Sequence, residues 1–401
     1  MIRTSRLFLI APAFAAGALG VLFVECLTPQ AYRKDLQQPY LAALALRDGV
    51  DIFTPITELS ARYFPAPTDN FPHPSPYPPV LALLSLPLTL LPFPAVALMW
   101  LAVNVGLSLK IGRWCGLSFA GSLALTAWPP LWYLFLIGQF ELLVLALAML
   151  GWRAARAGRQ WRAGLWLGLA AAIKLYPALL LVPFLARRRL RLLLAAGAVF
   201  ALSQLGNLAT VGTSGFVRYY EDVLPAVSAR YVRIGLNSSP YGGLLRVFGG
   251  ATDVAPVIHA SGLVVPLTIM ISLFALGALA KMEPEAAPVA ILVALPSVWY
   301  YYVVLALPQI VTLLRSSDLR RGALTATAAA SFVLPLVYLL LQQIVPLLSP
   351  GGSQAPPVAA LLAAVQPAGF VGLLVLSMRM YMRARQHRGP LKTTARGEST
   401  Q

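Results

Sequence analysis

Few residues in this chain can do chemistry, and most of them stand where apolar surroundings make them costly. Asp35 opens the segment KDLQQPYLAALALRDGVDIF, residues 34–53. A carboxylate there either caps the first turn of a helix or projects over a membrane surface, and taken alone capping accounts for it. Lys174 lies within AGLWLGLAAAIKLYPALLLVPFLA, residues 163–186. An ionisable group in such a stretch marks a functional site by default. Its alternative is to snorkel to a lipid headgroup, but Pro177 breaks the helix at that point. Glu141, in GQFELLVLALAML, is a second acid in an apolar run and can bind a hydroxyl, assist Asp35 or pair with Lys174. A structural ion pair explains it as well as a catalytic part does.

A second group mixes Arg218, Arg230 and Arg233 with Tyr219, Tyr220 and Tyr231 in FVRYYEDVLPAVSARYVRIGLNSSPYGGLLRV. Arginine suits phosphate, and the rings can stack on a flat ligand or lie at headgroup level, while the run Trp299 to Tyr302 either lines a lipid groove or belongs to the same belt. An ordinary interfacial belt accounts for each of these residues too. The remaining polar residues are less informative. Glu25 suits interfacial solvation, and Asp48 and Asp51 flank Gly49 in a turn rather than in a metal-binding motif. His73, His259 and His387 lack ligand spacing, and Cys26 and Cys115 are too few for a disulfide framework. No metal and no cofactor is expected.

The elements that position these residues follow from composition. Of 401 residues, 58% are hydrophobic and only 11% charged, so the solvent for the apolar surface is lipid. The net charge of +17 is not a nucleic-acid footprint, because the basic residues cluster beside apolar runs. The fold class is therefore an all-α polytopic integral membrane protein with about 10 to 13 membrane helical elements, several of them short and broken by proline. The basic clusters at 153–162, 187–191 and 315–321, and both termini, belong on the cytoplasmic side. Residues 28–77 and 212–261 are the outer loops of a single domain, 1–378, followed by a basic tail, 379–401. The first apolar run is a retained anchor rather than a cleaved leader. Within the first loop, residues 35–47 read as an amphipathic helix lying on the outer membrane surface.

Two stretches resist this topology. Residues 164–185 lie between two basic clusters, and 287–314 between cytoplasmic-looking charges, so a single crossing would put one flank on the wrong side. Pro177 and Pro296 allow each to fold back as two half-length helices, with two Pro-kinked ordinary spans as the alternative. Such breaks at membrane depth are tolerated where they line a cavity. Residues 77–94, YPPVLALLSLPLTLLPFP, are a third candidate for partial penetration.

The ordered set of Asp35, Tyr40, Gly49 with Phe53, Tyr77-Pro78-Pro79, Asn104, Gly138-Gln139, Ala163-Gly164 to Lys174-Leu175-Tyr176-Pro177, Asn237 with Ser239 before Arg246, and Pro296 with Trp299 resembles the GT-C superfamily of polyprenyl-phosphate-sugar-dependent glycosyltransferases, specifically glycosyltransferase family 87. Three departures stand out. Glu141 replaces the family's Asn, Ser238 the middle residue of its Asn-Gln-Ser, and Tyr300 to Tyr302 its His near the Trp.

The resemblance implies an inverting hexosyltransferase, mannosyltransferase-like, at the outer face of the cytoplasmic membrane. Its donor would be a polyprenyl-phosphate sugar and its acceptor a glycolipid or glycan hydroxyl. A phosphate leaving group needs neither a metal nor a general acid, only a base for the acceptor proton and cations for the departing phosphate. Asp35 is the implied base, with Lys174, Arg230 and Arg233 for the phosphate. Tyr40, Tyr77, Gln139, Glu141, Tyr176, Asn237, Trp299 and Tyr300 are the substrate-binding candidates. A lipid or solute transporter, expected to show inverted repeats, and a ligase using a pyrophosphate donor are the alternative readings.

Overall fold

A computed structural model describes residues 15–26, 34–65, 72–331 and 357–387. Among these residues every regular element is a helix. Phe93–Trp114, Leu190–Val232, Ser261–Lys281 and Pro357–Gln386 are long and apolar enough to cross a membrane, and Phe119–Leu125 with Pro129–Ile137 is an apolar pair bent by 65°, either a broken span or a re-entrant loop. Ala15–Cys26, Pro79–Leu90, Tyr176–Ala186, Pro284–Ala294 and Tyr300–Arg315 are shorter apolar helices. The chain is an all-α polytopic membrane protein.

Both suspect stretches fold back. Helix Gln160–Ile173 has 14 residues, about 21 Å of rise against about 30 Å of hydrocarbon. Lys174 then turns extended, with φ −143° and ψ 147°. Helices Tyr176–Leu181 and Val182–Ala186 return, and Leu190 starts the next crossing beside the beginning of the first. Two glycines fix that register. A Cβ on Gly164 would meet Leu192 O at 2.2 Å and one on Gly168 would meet Ala196 O at 2.8 Å, so the two helices run parallel in close contact.

The stretch after Met282 behaves alike. Arg156 pairs with Glu285 at 2.9 Å, and Arg187 donates to Met282 O at 2.9 Å. Arg315, at the other end of that stretch, donates to Cys115 O at 2.8 Å, beside the Trp114 ring over which Arg153 lies. Arg383 pairs with Asp318 at the same end. The basic clusters thus gather at one end of the bundle, and the breaks at Lys174 and at Leu295–Trp299 point toward the other.

One expectation needs correction. Helix Lys34–Arg47 does not lie on a surface with one wet face, because Asp35 through Ala45 are all buried. Helices Ile56–Tyr63, Pro79–Ser85 and Phe93–Trp114 cover it. Its polar residues read as a solvent face in sequence, but Asp35 and Gln38 find partners inside the protein. The segment after 212, assigned to the second outer loop, is largely helical. The chain bends at Gly212, whose φ of 68° favours glycine, and continues as helix to Val232. Residues 379–387, assigned to the tail, extend the last helix, Pro357–His387. Parts of the first outer loop and the end of the tail lie outside the described residues.

Candidate functional site

The site forms at the end of the bundle opposite the basic clusters at 153–162, 187–191 and 315–321, where three interruptions of helix meet helix Lys34–Arg47. The first interruption is Gly138, which ends helix Pro129–Ile137 with φ 74°. The Trp100 indole donates to its carbonyl at 3.0 Å, fixing the turn that presents Gln139. The second is the extended Lys174. The third is the break before helix Tyr300–Ala306, which presents Tyr301 and Tyr302.

These side chains form one network. Gln139 Nε2 donates to Asp35 Oδ2 at 2.7 Å and to the Tyr301 hydroxyl at 2.6 Å. Gln139 Oε1 accepts from Lys174 Nζ at 2.8 Å and from the Tyr77 hydroxyl at 3.2 Å. Gln38 Nε2 donates to Asp35 Oδ1 at 2.9 Å. Lys174 also pairs with Glu141, whose side chain is fully buried, and lies 5.5 Å and 5.4 Å from the ring centres of Tyr77 and Tyr302. Cation–π contacts of this kind hold an ammonium without neutralising it. Burial pushes the Asp35 carboxyl up from the usual carboxylate range, against the opposing charges of Lys34 and Lys174 and the amides of Gln139 and Gln38.

A second patch borders the first. His73 is buried, with Nδ1 at 2.7 Å from Pro74 O and Nε2 on the Tyr231 hydroxyl. Burial depresses its pKa and so favours the neutral ring. Nδ1–H donates to the carbonyl, and Nε2 accepts from Tyr231. Tyr231 packs edge-on against Trp299 at 5.4 Å. Arg230 and Arg233, on the same segment, are exposed.

Of the residues singled out in the sequence, Asp35, Tyr77, Gln139, Glu141 and Lys174 share one network. Tyr176 adjoins it, with its ring 5.3 Å from that of Tyr302. Others are engaged elsewhere. The Tyr40 hydroxyl donates to Leu91 O at 2.8 Å while its ring packs on Phe93. Asn237 spends its amide on Val232 O, Pro296 O and the N–H groups of Ser239 and Val298, so it ties the segment before it to the Pro296 break. Tyr300 turns toward Ser331 O and the Tyr133 ring, and its neighbours Tyr301 and Tyr302 face the network instead.

Gln38 and His73 carry weight that sequence reasoning did not give them. For Gln38 a signal was present, since it stands one helical turn after Asp35. For His73 none was, because its partner lies far along the chain.

The family model for glycosyltransferase family 87 matches residues 76–308, more than half of the chain. The chain belongs to glycosyltransferase family 87. Two curated relatives are named polyprenol-phosphate-mannose-dependent alpha-(1-2)-phosphatidylinositol pentamannoside mannosyltransferase. The one from Mycolicibacterium smegmatis is 32% identical over 269 residues, 62% of this chain and 62% of its own. The one from Mycobacterium tuberculosis is 31% identical over 213 residues, 48% of this chain and 47% of its own. The chain therefore spans less than two thirds of the length of either relative. No solved structure matches it. The family 87 match includes Tyr77, Gln139, Glu141, Lys174 and Tyr301, and Asp35 joins that set through its bond to Gln139.

Proposed function

We propose that this chain transfers a hexose, mannose in the first instance, from a polyprenyl-phosphate donor to a hydroxyl of a glycolipid or glycan acceptor. The observation that carries this reading is the Asp35 carboxylate, buried and bonded directly to a residue of the family 87 region. The names of the curated relatives support the donor class. Family membership favours transfer over the transporter and ligase alternatives.

The acceptor hydroxyl gives its proton to Asp35 as its oxygen bonds to the anomeric carbon. The bond from that carbon to the phosphate oxygen breaks, its electron pair leaves with the phosphate, and polyprenyl phosphate is released. Glu141, the other acid of the network, is committed to Lys174. That leaves Asp35 to act alone in a single displacement, which inverts the anomeric centre. The exposed Arg230 and Arg233 are suited to the departing phosphate by charge and bidentate geometry. Trp299 and Tyr231 offer ring surface to the sugar beside them.

By the preference of basic clusters for the cytoplasmic side, the arginine end and both termini face the cytoplasm, and the site end faces outward across the cytoplasmic membrane. The 1–378 region acts as one catalytic domain.

Purified protein supplied with radiolabelled polyprenyl-phosphate mannose and total membrane lipids should yield a labelled glycolipid of inverted configuration. Inertness toward this donor, with turnover of a pyrophosphate-linked one, would overturn the reading in favour of the ligase.

A further inference from the structure

We propose that Gln139, clamped by Lys174, is a positioning residue for Asp35, and that the Glu141–Lys174 pair serves to orient this amide rather than to hold the donor phosphate. The inference rests on the reading of Asp35 as the base and deepens it.

The amide between the two charges has one permitted orientation. Lys174 has only protons to give, and an ionised Asp35 has only lone pairs. Gln139 must therefore turn its oxygen to the lysine and its nitrogen to the carboxylate, as its bonds of 2.8 Å and 2.7 Å show. In that orientation the amide dipole lies along the field between the two charges, and each bond strengthens the other. Tyr301 accepts the remaining N–H, and Tyr77 donates to the oxygen. The amide is then saturated, with no capacity left for a sugar hydroxyl, which removes Gln139 from the substrate ligands.

Lys174 is equally committed. It touches Glu141 and Gln139, faces the rings of Tyr77 and Tyr302, and keeps only 13% of its side chain exposed. Moving it onto a phosphate would strand the Glu141 carboxylate, whose side chain is fully buried and whose Oε2 already has no hydrogen-bond partner. The groups facing Asp35 are Lys34 and Gln38 from its own helix and Gln139 from the turn after Gly138. Lys174 stands behind Gln139, and Glu141, Tyr77, Tyr301, Tyr302 and Tyr231 lie within electrostatic reach.

The test compares Gln139→Met with the double variant Lys174→Met/Glu141→Gln, which leaves no unpaired buried charge. Steady-state transfer is measured across pH, and polyprenyl phosphate serves as product inhibitor. Both variants should lose about 100-fold in kcat, as a base misplaced by a fraction of a bond length does, with donor KM and product inhibition unchanged. Gln139→Met should also move the acid limb of kcat/KM upward by about one pH unit, the worth of one charge-assisted hydrogen bond to the carboxylate. Unchanged kcat with raised donor KM and weakened product inhibition in the double variant would make Lys174 a phosphate ligand and overturn the inference. An acid limb that stays in place in Gln139→Met would overturn it too. Asp35→Asn, run in parallel, separates the two levels. If it retains turnover, the reading of Asp35 as base fails. If it is inactive while the other variants change only KM, the inference alone fails.

Discussion

Gly164→Ala places a single methyl where helix Gln160–Ile173 meets helix Leu190–Arg218. Its Cβ would stand 2.2 Å from Leu192 O, 2.6 Å from Ala195 Cβ and 3.0 Å from Ala196 N. The near atoms are backbone and a methyl, so no flexible side chain can yield. To restore ordinary contact the helices must part by about 1 Å, a distortion that costs about 1–3 kcal/mol in a packed interior. Gly197, on the partner helix, is the matched control, because a Cβ there meets nothing within 4 Å. Gly197→Ala should gain up to about 1 kcal/mol from helix propensity. The propensity gain is common to both helical sites, so the two substitutions, identical in composition, should differ by the distortion alone, about 1 to 3 kcal/mol in thermal unfolding from detergent micelles. Transfer should separate them further. Lys174 stands about 15 Å farther along the wedged helix, and its 2.8 Å bond to Gln139 does not survive a shift of that size. Gly164→Ala should thus lose about 100-fold in turnover and Gly197→Ala none. Equal stability and activity of the two variants would refute the parallel packing, and with it the hairpin that carries Lys174.

Other outcomes follow from the same geometry. Lys174→Met alone should destabilise the fold by about 3 kcal/mol, because Glu141 is left buried and unpaired, and adding Glu141→Gln should recover most of that loss in the same melts. Asn237→Ala removes four hydrogen bonds that tie Val232 and Ser239 to the Pro296 break, and should cost about 2 kcal/mol or more. The Asp35 carboxyl is raised above its unfolded value, so its contribution to stability is present at low pH and lost as pH rises through the folded value. Asp35→Asn should accordingly melt at or above the wild-type temperature at neutral pH. For the same reason wild-type transfer should fail on acidification sooner than an unburied carboxylate would dictate, as a pH–rate series would report.

How much of this was legible in the sequence depends on where each residue's partner lies. The hairpins were one of two readings open in the sequence, because 164–185 lies between arginine clusters, 287–314 lies between Lys281 and Arg315, and each stretch is too short for two full crossings. Lys174 stood out because a charge in an apolar run needs a reason. The burial of helix Lys34–Arg47 could not be read, since Asp35 and Gln38 look like a wet face until Gln139 arrives from a distant turn. The choice among Tyr300, Tyr301 and Tyr302 was equally hidden. A one-residue step in a tight helix turns the ring by about 120°, and an unbroken aromatic run carries no register. Asn237 shows the converse, where a motif residue that looked like a ligand is an internal strut.

The most direct test of the account is a single-turnover experiment with purified wild-type protein and Asp35→Asn, each loaded with radiolabelled polyprenyl-phosphate mannose and given acceptor lipid. Wild type should pass label to the acceptor and release polyprenyl phosphate in equal amount, while Asp35→Asn, folded to the same extent, retains the label on the donor. Transfer by Asp35→Asn at near the wild-type rate would contradict the assignment of Asp35 as the proton acceptor.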